Sequence, residues 1–179
     1  MEWTLEEQNA AIAVLGKIFA TFEAGKYIPL PVYEALVKCH ARISNELAIF
    51  DKDGRIYLIQ RKAVPGEPYP DQWHCPGVTY QYKDTVETSF ARLIKSELGP
   101  EAKFEGDPVC AKMYVSVGES ERKSSCLTFL FVMRYIGGEM KSKRGQFFAL
   151  HDLEELHLVK SHREKVIPYA FEYLRSIKA

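Results

Sequence analysis

Residues 76–99, PGVTYQYKDTVETSFARLIKSELG, constrain this chain more than any other stretch of it. The Pro76-Gly77 step reads as a loop rather than as the inside of a regular element. A helix is expected from about Thr85 to Leu98, with Gly99 and Pro100 to stop it. Positions 93, 96 and 97 are spaced i, i+3, i+4 and should share one face of that helix.

The chain around this segment reads as alternating strands and helices. Leu47-Ala48-Ile49-Phe50, a turn at Asp51-Lys52-Asp53-Gly54, and Ile56 to Arg61 form a hairpin pattern. Val64 to Gln72 carries Pro65, Gly66, Pro68 and Pro70 and cannot continue a strand. Lys103 to Val117 and Cys126 to Tyr135 read as long strands around a polar loop, Gly118 to Ser125. Gln146 to Leu150 is a further short strand. A helix closes the chain, with Ser161 and Glu164 spaced as a capping box and Pro168 disturbing or starting its regular part.

Before this body lies a helical prefix. Leu5, Ala11, Ile12, Leu15, Ile18, Phe19 and Phe22 recur at helical spacing over Leu5–Ala24, and Gly25 suits a stop. A second helix is expected to start at Pro31 and run towards Ile43. The chain therefore divides into a helical extension, 1–44, and an α/β body, 45–179. The prefix is expected to pack on the body or on a partner, or to serve as a substrate-specificity or dimerisation hairpin, the latter joining two copies as a homodimer.

The 76–99 segment resembles the Nudix box, in which a Gly, five residues, a Glu and seven residues precede Arg-Glu-U-x-Glu-Glu-x-Gly-U, with U aliphatic. Laid on it without a gap, the chain has Val78 for the Gly, Asp84 for the first Glu and Arg92 for the Arg. Leu93 and Ser96 replace two of the later glutamates, whereas Glu97 and Gly99 match. A strand ending in Arg61, the W-x-x-P-G at 73–77 and FFALHDLEEL at 147–156 resemble the flanks of that box. The resemblance implies a Nudix fold, a mixed β-sheet sandwiched between helices, over the body.

In that family carboxylates on one helix face, beside a loop carbonyl, cage magnesium and so polarise a diphosphate. Here Leu93 offers no ligand, Ser96 only a hydroxyl, and Glu97 remains. The run Arg92-Leu93-Ile94-Lys95-Ser96-Glu97-Leu98-Gly99 resembles the altered box of the GDP-mannose mannosyl hydrolases, which use a single metal. That likeness implies Glu97 and the Gly77 carbonyl as ligands to one weakly held Mg²⁺ (or Mn²⁺). It implies Arg61 on the diphosphate, giving Glu97 and Arg61 catalytic roles. Their late loop brings a Gln ligand and a His base. The matching stretch, Lys141 to Gln146, offers Gln146 but no His, so the base is not carried over. Lys143 and Arg144 on that loop suit phosphate recognition. Asp84, Arg92 and Gly99 take structural roles, and Val78 costs the loop the freedom of the usual Gly.

Other titratable residues read as bland. His74 is expected to be a loop or packing residue, and His40, His151, His157 and His162 to lie at surface positions. Lys plus Arg and Asp plus Glu number 24 each, so no net field attracts nucleic acid or an anionic membrane. No apolar run approaches a membrane span, and four scattered cysteines without C-x-x-C suggest a reduced, cytoplasmic protein. Two readings remain: a hydrolase of a nucleoside diphosphate linked to another moiety (or another organic diphosphate), and an inactive Nudix-fold module that binds such a ligand or a regulatory partner.

Overall fold

A computed structural model of the chain describes residues 2–39, 41–64, 67, 69–117 and 125–177. Pro65, Gly66 and Pro68 of the expected loop, residues 118–124 of the polar loop, and His40 lie outside them.

Strand β1, Arg42–Phe50, is the spine of the sheet. Leu47, Ala48, Ile49 and Phe50 are consecutively buried, because both faces of this strand are covered. The turn after it is held by Asp51, whose Oδ1 accepts from the Asp53 and Arg55 amides at 3.0 and 2.9 Å. Gly54 supplies the positive φ, +76°, that the turn needs. Strand β2, Ile56–Gln60, returns antiparallel. Then come β3, Trp73–His74, and β4, Gly77–Thr79. Strands β5, Lys103–Val117, β6, Ser125–Gly137, and β7, Gly145–Phe148, complete a seven-stranded sheet. Its order is β3-β2-β1-β6-β5, with β4 added to β1 and β7 to β2. Strand β6 runs parallel to β1 from Arg42↔Cys126 to Phe50↔Arg134, and the other pairings are antiparallel.

The partner of β1 changes along its length. Next to the turn it is β2; at Ser44, Asn45 and Glu46 it is β4. The splay between β2 and β4 opens the place where the site lies.

Period-two alternation sends side chains to two cores. Leu47, Ile49, Tyr57 and Phe131 meet helix α3, Val86–Leu93. Ala48, Phe50, Leu58 and Leu130 meet helix α4, Ile167–Ser176, on the other face. The body is thus a mixed sheet between helices, as its resemblance to the Nudix box and flanks implied.

Helix α1, Leu5–Glu23, is capped by Thr4 and Glu7, and α2 is Leu30–Cys39. No residue of α1 is buried; the helix touches the body through Phe19 on Tyr82, with ring centroids 5.2 Å apart, and through Glu23–Lys83 at 3.6 Å. Among the described residues no helix is long and apolar enough to cross a membrane.

Two local expectations fail. Ile43 is not helical, because parallel pairing with β6 already claims the chain at Arg42. The capping box at Ser161 and Glu164 does not form. Ser161 is itself helical, φ −61°, and the Val159 carbonyl takes the His162 and Arg163 amides at 2.9 and 3.0 Å. A π-turn, His162–Val166, then leads into α4, with Pro168 in its first turn.

Candidate functional site

Helix α3 starts where the sequence places it, with Thr85 and Thr88 exchanging cap hydrogen bonds at 3.3 and 2.8 Å. It does not continue regularly to Leu98. From Ile94 to Leu98 the chain makes a π-turn, closed by the Gly99 amide donating to the Ile94 carbonyl at 2.7 Å. The wider turn shifts the helical phase, so 93, 96 and 97 do not share an environment. Leu93 is 0% exposed in the core, Ser96 is exposed, and Glu97 turns inward. The expected common face is therefore broken.

Glu97 faces Gly77, whose backbone hydrogen bond lowers its pKa, as does Arg61. Burial outweighs both and pushes the carboxyl up to about 7. Glu46, on β1 opposite Gly77, is a second acid here. Burial, and then the charge of Glu97, push it up to about 8 against Arg61 and Arg42. A Cβ placed on Gly77 would stand 2.4 Å from Glu46 Oε2, so the strand needs glycine for this carboxylate to lie across it.

Two histidines back the pair. His162, from the π-turn before α4, accepts the Cys75 amide on Nδ1 at 3.1 Å, which leaves its proton on Nε2. Nε2 stands 3.8 Å from Glu46 Oε2, beyond hydrogen-bond reach. His74 Nδ1 bonds the Cys75 carbonyl at 2.7 Å, and its ring meets that of His162 edge-on. Burial first, then Arg61, lowers His74 to about 4. Burial, then His74 and Arg61, holds His162 well below its usual value. Both rings are neutral at pH 7. His162 is buried, not at the surface.

Arg61, just past β2, contacts Glu67 at 3.1 Å, while its Nε is buried without a partner. Arg144 is exposed, but its charge reaches His74 and its carbonyl accepts the Gln60 amide at 3.0 Å. Lys143 is exposed on the same loop. Gln146 stands exposed on β7 opposite Leu58, and among the described residues no hydrogen bond joins it to Glu97. Arg92 contacts Asp84 and donates to the Thr79 carbonyl at 3.0 Å. Val78 lies in β4 without a positive φ, so the missing box glycine costs this backbone nothing. Gly99, at φ +95°, abuts Lys141, whose amide donates to the Leu98 carbonyl at 2.6 Å.

The arrangement thus joins Glu97, Gly77 and Arg61, and adds Glu46 and His162, which the sequence reading missed. One signal was there: Glu46 is a charge on the strand face that also carries Ala48 and Phe50.

Do these residues fit a divalent cation? Glu46 Oε2 and Glu97 Oε2 are both buried without a hydrogen-bond partner. Among the described residues no three His, Cys, Asp or Glu side chains form a cage. Magnesium needs no such cage, since one or two carboxylates with water and substrate phosphates hold it. The residues fit a substrate-assisted site.

No family model matches the sequence, and no curated protein matches it. Solved structures do resemble it. A MutT protein from Methanosarcina mazei Go1 is 16% identical with a TM-score of 0.58, over 78% of this chain and 97% of that one. The NUDIX domain of Shewanella oneidensis NrtR, complexed with ADP ribose, is 14% identical with a TM-score of 0.52, over 78% and 89%. A bifunctional NMN adenylyltransferase/ADP ribose pyrophosphatase from Francisella tularensis, complexed with AMP and a Mn ion, is 16% identical with a TM-score of 0.53, over 80% and 47%. Sheet order, flanking helices and these neighbours agree: the chain has the fold of the Nudix hydrolases.

Proposed function

We propose that this chain is a Nudix-type hydrolase of a nucleoside diphosphate linked to another moiety, working with a single magnesium ion. One observation carries the reading: Glu97, the surviving box carboxylate, is turned inward against Gly77 with Oε2 buried and unpartnered. Glu97 and the Gly77 carbonyl are the ligands in this reading; Gln146, exposed on β7, is left out. When bound, the metal supplies Lewis-acid polarisation of the diphosphate. Manganese suits the same oxygen donors, and the Francisella tularensis structure holds it.

The chain's own groups do the rest. Arg61 offers a fork that can take two phosphoryl oxygens at once. Lys143 and Arg144 add positive charge from the late loop. His74 and His162, held neutral, keep cationic charge away from the metal position. The ADP ribose in the Shewanella oneidensis structure supports the nucleoside diphosphate class. The likeness of the box to that of GDP-mannose mannosyl hydrolases supports one metal rather than several.

The test is magnesium-dependent release of phosphate, nucleotide or sugar from a panel that includes ADP-ribose and GDP-mannose. Glu97→Gln should lower kcat at least about a hundredfold, the effect of losing one strong electrostatic contributor. Equal rates overturn the assignment. The second reading, binding without turnover, is favoured by Leu93, a box position sealed in the core. Calorimetric binding of ADP-ribose by a protein that releases no product would establish it.

The apolar seam of α1 supports a homodimer. Leu5, Ile12, Leu15, Phe19 and Phe22 fall on heptad positions and are 39–72% exposed.

A further inference from the structure

Two carboxylates are missing from the helix, and the sheet carries one that the box does not contain. Glu46 enters from β1, opposite Gly77, and lies across the glycine that also hydrogen-bonds Glu97. Both acids therefore reach the same residue from different elements. Each leaves an Oε2 buried with no hydrogen-bond donor, which is costly unless something else satisfies it.

The protein groups around them do not satisfy these oxygens. His162 Nε2 is too far from Glu46, at 3.8 Å, and is neutral. Arg61 acts on both acids through space, but its Nη1 contacts Glu67 at 3.1 Å. Arg42 acts on Glu46 alone.

We propose that Glu46 is a ligand to the divalent cation, so that strand β1 supplies a carboxylate in place of those absent at Leu93 and Ser96. The cation would lie between Glu46 and Glu97, a two-carboxylate set that suits magnesium completed by water and substrate phosphates. This rests on the proposed metal dependence and goes beyond it in naming a ligand outside the box.

Mn²⁺ alone is the probe, titrated into the full chain and read by the loss of free-ion electron paramagnetic resonance signal. The wild type should bind one ion. Glu46→Gln and Glu97→Gln should each weaken binding at least tenfold. If Glu46→Gln binds like the wild type while Glu97→Gln does not, the inference fails and the Glu97 reading stands. If the wild type binds no Mn²⁺, with or without ADP-ribose, both fail. Should Glu46→Gln not fold, wild type carrying ¹³C at its glutamate carboxyls gives the answer. Mg²⁺ should shift two buried carboxyl resonances, and a shift of only one overturns the proposal.

Discussion

Arg92 ties three segments together: its guanidinium contacts Asp84 before α3 and donates to the Thr79 carbonyl at the end of β4. Asp84 in turn accepts the Gln81 amide at 2.7 Å, so the loop between strand and helix closes on this one pair. Losing Arg92 takes the charged partner from a half-buried carboxylate, which keeps the Gln81 amide, and a donor from the Thr79 carbonyl. Arg92→Ala should cost about 1–3 kcal/mol, the scale of a charged hydrogen bond. Urea denaturation measures it, and Asp84→Asn should cost less, because an amide still accepts.

Leu93 was the natural position at which to rebuild the box. Its side chain is fully buried against Phe90 and Leu98, so the rebuilt carboxylate would face apolar carbon rather than a metal. Leu93→Glu with Ser96→Glu should unfold the chain or destabilise it severely, and should not raise Mn²⁺ affinity. Leu93→Ala should cost about 2–5 kcal/mol through the cavity alone. Thermal melts of the three variants, read by circular dichroism, check this.

The buried acids and histidines give stability opposite slopes with pH. Burial pushes Glu46 up to about 8 and Glu97 up to about 7, against 4.5 for a free glutamate, so the fold holds their protons more tightly. Their contribution is present below pH 4.5 and is lost as pH rises towards 8. His74 and His162 have lowered values, so their contribution is present above 6.5 and is lost as pH falls. Between 4.5 and 6.5 the slopes oppose each other; between 6.5 and 8 the acids act alone. Metal-free protein should lose Tm across pH 6.5–8, and Glu46→Gln should flatten that fall.

Gly77→Ala tests the cradle separately. The added methyl would meet the end of the Glu46 side chain rather than backbone, and that carboxylate can swing away. Stability should change by under about 1 kcal/mol, as for substitutions that the surroundings can absorb. Mn²⁺ affinity should fall at least tenfold, by the titration used for Glu46→Gln. Gly145→Ala is the contrast, because its methyl would stand 1.9 Å from the hydroxyl of buried Tyr57 and should destabilise the fold.

If α1 pairs copies, Ile12→Lys with Leu15→Lys should convert a dimer into a monomer in sedimentation equilibrium. The body should keep its melting behaviour, since no residue of α1 is buried.

Much of the fold was legible because local signals agreed with burial. Four consecutive apolar residues made β1 readable, Asp51 and Gly54 its turn, and Thr85 and Gly99 the ends of the box helix. The site was half legible. Glu97 and Arg61 stand on spacing that a sequence displays. The phase change at Ile94 does not, because it depends on a hydrogen bond from a residue outside the helix. Glu46 and His162 come together only once β1, β4 and the turn before α4 are assembled, so no window of sequence contains them both.

The contact of Gly99 with Lys141 means that the chain leaves the box helix and comes back to the same spot. The excursion between those two points is a detour with a closed doorway, and it is no idle one: it brings in β6, which runs the length of β1 and puts Leu130 into one core and Phe131 into the other. The doorpost itself admits no side chain: at φ +95° a Cβ on Gly99 would press on Lys141, so the register in which that detour returns hangs on a residue with nothing to offer but its backbone.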